Sequence, residues 1–351
     1  MRTEITDEAL KLLEAPNAGE CVWAYLKNQI ESGRWEDIYF CEEFMLKILD
    51  LPNAKEIVSL YATKWFLSEE AQKKIFDMPN GKEIMLEYIK YHHLYESNPW
   101  GSEFPLKMLF KRLDWFEVAL EYVKRWPFMS VPGYIVNHPK AGQLVLEYVK
   151  SGGYFYSNWI EKYLFSFSNS GEIVLEFIKH YRLPGYKYYK QLFDLPNADE
   201  IMLELAKRDG SLPLLYYDQI YNLPNASEVV LAYVKNPKLT SSPVITSRMF
   251  DLPDAREIIM ECIKLGGLGF SGAEEKIFAL PNAGDIFMEA ARQGHYLNTK
   301  YFSRILELPN GEKIILEFDK HHPVARNLIA WVNKMWIDEE TALRIKHLLK
   351  N

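Results

Sequence analysis

Cysteine is scarce in this chain, and long apolar runs are missing. Three cysteines, Cys21, Cys41 and Cys262, make no disulfide framework, and no Cys-x-x-Cys or His-Glu-x-x-His spacing is present to gather a metal. No stretch approaches the ~18 apolar residues of a membrane span. The first residues carry Glu4, Asp7 and Glu8 close to Met1, unlike a secretory leader. Alternating strand patterns are absent too: Pro243-Val244-Ile245-Thr246 is too short and isolated to seed a sheet. Charge is only mildly unbalanced, with 41 basic against 48 acidic residues and a net charge of −7. These absences lead us to expect the cytoplasm, reduced thiols, no membrane contact, no metal and no cofactor.

Proline, by contrast, is concentrated. Nine of the eighteen prolines (Pro16, Pro52, Pro79, Pro139, Pro196, Pro224, Pro253, Pro281 and Pro309) open one short phrase, clearest as Leu-Pro-Asn-Ala-x-Glu-Ile-Val-Leu-Glu-Tyr-Ile-Lys. Its first Glu sets a register, position 0, at Glu20, Glu56, Glu83, Glu117, Gln143, Glu172, Glu200, Glu228, Glu257, Asp285 and Lys313. From Gln143 onward the spacing is 28 or 29 residues; before it, insertions precede Glu56 and Glu117. A fixed period of this length is the signature of a stacked array.

The phrase reads as a helix start. Asn or Asp stands at −3 in ten of the eleven repeats, Lys140 being the exception. Such a residue is suited to N-cap the helix, with the Glu at N3 completing a capping box. The proline pushes the preceding Leu out of helical geometry, so one helix stops at the Leu and another starts at the Asn. The helix that follows is apolar at +1 and +2 throughout, Leu or Met at +3 in nine repeats, and Tyr or Phe at +5 in eight. Positions 0, +4 and +7, typically Glu, Glu and Lys, form one narrow charged stripe, and the remainder is expected to be buried. Glycines such as Gly152-Gly153, Gly210, Gly266-Gly267 and Gly294 then read as C-caps. A second, shorter helix runs back into the next phrase, as in Glu274 to Phe278 (capped by Ser271) or Ser303 to Leu306. The fold class is therefore all-α, an α-solenoid of about eleven helix-pair repeats with a period near 28 residues. Residues 1–351 form one continuous array, with a capping helix in 1–15 and capping helices in 323–351.

The run Glu-Ile-Val-x-x-x-Ile-Lys-x-Gly-Gly, seen in Glu172 to Lys179 and Gln143 to Gly153, resembles the second helix and following glycine of ankyrin repeats. The Asn-Ala or Asn-Gly before it is similar to the ankyrin inter-helix turn. The Thr-Pro-Leu-His opening is absent, and the repeat is ~5 residues short of the ankyrin length. Those missing residues are the ones that would build β-hairpin fingers. The resemblance implies a divergent ankyrin-like α-solenoid.

Catalytic motifs do not stand out. Gly267-Leu268-Gly269-Phe270-Ser271-Gly272 matches a dinucleotide fingerprint, but a helix precedes it where a strand is needed, so it reads as a C-cap and loop. The pairs His92-His93 and His321-His322, with His180 and His295, read as exposed loop histidines. Cys21 and Cys262 fall at +1 and +5 and read as buried thiols. The Glu/Glu/Lys stripe recurs in repeat after repeat, as a solvated face does and a single catalytic pair does not.

Aromatic residues, 14% of the chain, crowd the connections between the two helices of a repeat. The candidate partner-binding set is Trp35, Tyr39, Trp100, Tyr154, Tyr156, Trp159, Tyr186, Tyr188, Tyr189, Tyr216, Tyr217 and Tyr301. Tyr and Trp combine contact area with a polar handle and concentrate at binding hot spots. They also fill gaps between short helices, which is the plainer reading. The expected function is thus a scaffold that binds another protein through these connections. The alternative is nucleic-acid binding through the basic residue at +7, from Lys27 to Lys320. Against it, Glu at +4 lies one turn from that base in eight repeats.

Overall fold

The computed structural model describes residues 3–4, 7–33, 38–39, 41–65, 67–91, 109, 112–125, 135–155, 162–181, 186–209, 212, 216–238, 243–266, 273–295, 297–321 and 337–350. The fold is helical, apart from a parallel stub in which Thr3–Glu4 pairs with Ile38–Tyr39, a contact that the strand-free reading did not anticipate. Each registered position lies within an α-helix. These long helices are α1 (Ala18–Glu31), α2 (Ala54–Ala62), α3 (Gly81–Tyr91), α4 (Phe116–Arg125), α5 (Ala141–Lys150) and α6 (Ser170–His180). They continue as α7 (Ala198–Asp209), α8 (Ala226–Val234), α9 (Ala255–Lys264), α10 (Ala283–Arg292) and α11 (Gly311–His321).

The chain divides into two compact units, Met1–Tyr181 and Arg182–Asn351. In the first, α1 to α6 pack side by side in sequence order, each against the next. In the second, α7 to α11 do the same. Short segments lie beside the long helices: α-helical at Glu69–Asp77, Glu274–Phe278 and Phe302–Glu307, and 3-10 at Ile135–Asn137, Leu164–Ser166 and Ser247–Asp251. Asp7–Leu12 stands before α1, and Glu339–Leu348 follows in the second unit.

The core follows from the pattern. Residues at +2 are buried in every repeat, and those at +1 in all but the first, as with Ile57-Val58 and Ile258-Ile259. Tyr61, Tyr88, Tyr122, Tyr148, Phe177, Tyr233 and Phe318 at +5 are buried as well. Cys262 has no exposed surface, and burial pushes its thiol pKa up to about 12, so it is an inert core residue. Cys21 is only half-buried, and its thiol donates to Asn17 Oδ1 at 3.3 Å.

The proline phrase corrects one expectation. The residue at −2 donates its N–H to the carbonyl at −5 before each of the eleven registered positions, from Ala18 N to Ala15 O at 3.1 Å to Gly311 N to Leu308 O at 2.9 Å. That bond closes a β-turn with Pro at its second position in nine of the eleven cases (Leu113 and Ser168 stand in the others) and Asn or Asp at its third in all but that of Lys140. Asn225 sits at φ −105, ψ 25, close to the third residue of a type I turn and away from the extended backbone of an N-cap. Asn17, Asn53, Asn169, Asn225, Asp254 and Asn282 accordingly make no side-chain cap hydrogen bond. Side-chain caps occur instead before helices outside the register, where Ser68 accepts from Ala71 N at 3.1 Å and Asp338 from Thr341 N at 2.8 Å.

Freed from capping, the turn asparagine reaches sideways. Asn169 Nδ2 donates to Gly142 O at 3.1 Å, Asn225 Nδ2 to Asp199 O at 3.0 Å, and Asn310 Nδ2 to Gly284 O at 3.0 Å. In each pair the amide of one repeat meets the −1 carbonyl of the repeat before it. Asp254 has no amide hydrogen to give, and here the −1 residue is Ser227, whose hydroxyl donates to Asp254 Oδ2 at 2.6 Å. Approach is close enough to exclude a side chain: a Cβ on Gly142 would lie 2.0 Å from Asn169 Oδ1, and one on Gly284 2.3 Å from Asn310 Oδ1.

A second row of contacts seals the far ends of the long helices. Gly152 and Gly294 take positive φ (90° and 71°) and close Schellman motifs, with Gly153 N on Tyr148 O and His295 N on Ala290 O, both 2.9 Å. Gly33 and Gly266 also take positive φ, while Gly210 lies outside the described residues. Side chains from the next repeat then reach the exposed carbonyls. The Tyr181 hydroxyl donates to Gly152 O, and Asn236 Nδ2 bonds Ala206 O and Lys207 O at 2.7 Å each. His295 Nε2 lies 3.1 Å from Ile263 O. His295 is therefore buried, contrary to the exposed-loop reading.

Two measurements test this packing. Replacing glycine in a helix by alanine ordinarily gains up to ~1 kcal/mol. Gly142→Ala should instead destabilise, because its Cβ displaces the Asn169 amide. In a double-mutant cycle read by urea unfolding, the loss should shrink in the Asn169→Ala background; a stabilising Gly142→Ala would contradict the rung. The second concerns His138, which replaces the usual Leu of the phrase. It is buried, its Nδ1 accepts from Lys140 N at 3.1 Å, and its Nε2 has no partner among the described residues. Burial, with the Lys140 charge, holds this imidazole pKa below its ordinary value. The unfolded chain then binds the proton more readily, so stability is full above about pH 6.5 and declines as pH falls below it. The melting-temperature advantage of His138→Leu over the parent should widen from about pH 8 to about pH 5.

Candidate functional site

Among the described candidates, the aromatic connections mostly turn inward. Tyr188, Tyr189 and Tyr301 are only 3%, 7% and 6% exposed. Tyr189 stacks on Tyr216 with ring centroids 6.0 Å apart, Tyr216 also on Phe193 at 5.8 Å, and Tyr301 meets Phe278 at 5.8 Å. Tyr216 and Tyr217 are half-buried, and the Tyr217 hydroxyl lies in the interior, where burial raises its pKa. The physical reason is the brevity of the intervening helices. One or two turns cannot cover the +1, +2 and +5 side chains of a long helix, so the rings of the connections complete the cover. Tyr154 is the exception, 45% exposed, with its ring edge-on to Tyr181 at 5.2 Å. Tyr39 and Tyr186 are described in backbone only, within Ile38–Tyr39 and the 3-10 turn Tyr186–Tyr188. Trp35, Trp100, Tyr156 and Trp159 lie outside the described residues, as do the Gly267–Gly272 run, His92, His93 and His322.

What the structure leaves open is one face of the long helices. Position +3, which the pattern assigns to the interior, is only half-buried. In the first unit the row is Leu86, Leu120, Leu146 and Leu175, with Trp23 37% exposed at its start. In the second it is Leu203, Leu231, Met260 and Met288, ending at Leu316, again 37% exposed. The helical wheel supplies the signal that hydrophobicity hid: at ~100° per residue, +3 lies only about 40° from +7, at the edge of the charged stripe.

The charges beside this row largely cancel. The +7 cation bonds the +4 carboxylate of its own helix in Lys90–Glu87 (3.3 Å), Lys150–Glu147 (3.0 Å), Lys179–Glu176 (3.1 Å), Lys264–Glu261 (2.9 Å) and Lys320–Glu317 (3.2 Å). Two +7 cations cross to the next helix, Lys124 to Glu147 at 3.7 Å and Lys235 to Glu257, and Lys82 at −1 crosses likewise to Glu117 at 2.7 Å. The bond to Lys320 holds the Glu317 carboxyl below its usual range, and the bond to Glu261 raises Lys264. Exposed pairs of this kind add little stability. Their consequence is electrostatic, since among the described residues no run of free cations is left along the face.

Grooves lie between neighbouring helices. One, of about 490 Å³, separates α9 from the turn and first residues of α10 with Met260 in its lining; another of similar size, between the start of α3 and the turn before α4, is lined by Lys82, Glu83, Arg112 and Trp115. His180 and His321 each lie beside a +4 glutamate, at 3.2 and 3.1 Å. Among the described residues, no group of three His, Cys, Asp or Glu side chains is placed to hold a metal, and no helix is long and apolar enough to cross a membrane. No protein-family model matches the chain, and no match was found among curated proteins or solved structures.

The division between inward rings and open leucines is directly measurable. Tyr301→Ala should cost about 3–5 kcal/mol in urea unfolding, as large core truncations do. Leu316→Ser should stay within about 0.5 kcal/mol, the range of surface changes. Equal losses would contradict the burial assignments.

Proposed function

We propose that the chain is a continuous α-solenoid of eleven helix-pair repeats, ankyrin-like in its inter-helix turn, acting as a non-enzymatic scaffold for a protein partner. One observation carries the reading: a half-exposed Leu or Met recurs at +3 in consecutive long helices, beside glutamates and lysines that neutralise one another. A row of apolar side chains on a rigid array offers contact area without the entropy loss of ordering a loop. Tyr154, the described candidate with the most open ring, extends this contact surface in the first unit.

Nucleic acid is the competing reading, with the +7 cations as a phosphate ladder. The ion pairs weigh against it. A phosphate would have to displace Glu87, Glu147, Glu176, Glu261 or Glu317 from its lysine, which removes the gain from counterion release. Lys207 is the exception, with no ion pair among the described residues.

Affinity capture from native cells, with and without nuclease, separates the two. The parent should retain a nuclease-resistant set of proteins. A Leu203→Ser, Leu231→Ser, Met260→Ser, Met288→Ser variant should lose that set while keeping its helical circular dichroism. Lys207→Gln with Lys235→Gln and Lys264→Gln should capture as the parent does. Capture abolished by nuclease, or by the lysine changes with steep salt dependence, would favour nucleic acid.

A further inference from the structure

Two of the turn asparagines are followed by glycine, where the others are followed by alanine or serine: Asn80-Gly81 before α3 and Asn310-Gly311 before α11. No other Asn-Gly pair occurs in the chain. Packing accounts for the glycine. In both places the preceding short helix runs on to −6, ending at Asp77 and Glu307. A Cβ on Gly81 would then lie 1.8 Å from Ile75 O, and one on Gly311 2.0 Å from Ile305 O. The same glycine removes the side chain that would otherwise shield its backbone nitrogen from the asparagine amide before it.

The two pairs differ in what holds that amide. Asn310 Nδ2 donates to Gly284 O at 3.0 Å, which pins the side chain to the preceding repeat. Asn80 is exposed, and its amide makes no hydrogen bond among the described residues. The turn itself is closed alike in both, by Gly81 N on Met78 O at 3.1 Å and Gly311 N on Leu308 O at 2.9 Å. We propose that Asn80 is a site of spontaneous deamidation, and that the tie to the preceding repeat protects Asn310 from the same reaction. When the turn opens, the Gly81 nitrogen gives up its proton to solvent base and attacks Asn80 Cγ. A new C–N bond closes a succinimide ring, the bond from Cγ to Nδ2 breaks, and ammonia leaves. Water then adds to either ring carbonyl and opens the ring, giving aspartate or isoaspartate, with no change of oxidation state. Aspartate is compatible with the turn, since Asp254 occupies the same place in its own repeat, where Ala255 N donates to Leu252 O at 3.1 Å. Isoaspartate inserts a carbon into the main chain at the third residue of the turn. That puts the Met78–Gly81 bond out of register and loosens the link between Glu69–Asp77 and α3.

The test incubates the full chain in mildly alkaline buffer and follows both sites by peptide mass spectrometry, with electron-transfer fragmentation to separate aspartate from isoaspartate. Asn80 should convert about fivefold faster than Asn310, the rate equivalent of one net hydrogen bond. A parallel incubation in urea, where neither turn persists, should bring the two rates together. Gly284→Ala carries the comparison further: its Cβ would lie 2.3 Å from Asn310 Oδ1, so the amide is displaced and Asn310 should convert nearly as fast as Asn80. Helical circular dichroism checks that this variant folds; if it does not, the two sites of the parent decide the matter. Equal rates at the two sites of the folded parent overturn the proposal, as does conversion of neither while both convert in urea. A folded Gly284→Ala variant in which Asn310 stays protected overturns the role given to the tie.

Discussion

The hydrogen bond from a turn asparagine to the carbonyl at the start of the previous long helix is the contact on which the rest depends. It exists because the turn puts asparagine at its third residue, where ψ near 25° turns the amide away from its own helix; proline usually fixes the second residue, and with Ser168 in that place Asn169 makes the same bond. A helix of nine to twelve residues is marginal alone. Tying its first turn to the neighbouring helix, and its last turn to a tyrosine, asparagine or histidine from the next repeat, lets packing supply what length cannot. The Asp254–Ser227 pair shows the same constraint met with different chemistry: where the donor amide is lost, the −1 side chain provides the hydrogen.

Close approach at the turn has a consequence for the surface. Helices drawn together at +1, +2 and +5 leave a narrow outward face, and +3 lies at its edge, half in and half out. The ion pairs at +4 and +7 keep that face soluble without giving it a strong field of either sign. Leu and Met in a row, bordered by neutral pairs, are better suited to a protein surface than to a phosphate backbone, and the functional proposal rests on that contrast.

Much of this was legible beforehand. The period located each long helix, the apolar positions +1, +2 and +5 identified its buried side, and Gly152, Gly266 and Gly294 marked its end. Local chemistry was less legible. Asn before a helix resembles an N-cap, and only the backbone angles reveal a β-turn that sends the side chain to another repeat. Tyr189 and Tyr301 resemble hot-spot aromatics, but the helices beside them are too short to bury the core without those rings. Met260 and Leu316 read as interior because hydrophobicity does not say which edge of a helix its neighbours cover. His295 is buried in a position where the connection suggested solvent. Each miss has one cause: a contact made between repeats cannot be read from one repeat.

Hydrogen exchange followed by mass spectrometry on the parent and Asn225→Asp tests the central claim most directly. The substitution keeps the shape of the side chain and removes the donor to Asp199 O. Exchange should accelerate in α7 and α8, the two helices the bond joins, and remain unchanged in α11. Acceleration spread evenly along the chain, or none in α7 and α8, would contradict the assignment of this bond as the tie between neighbouring helices.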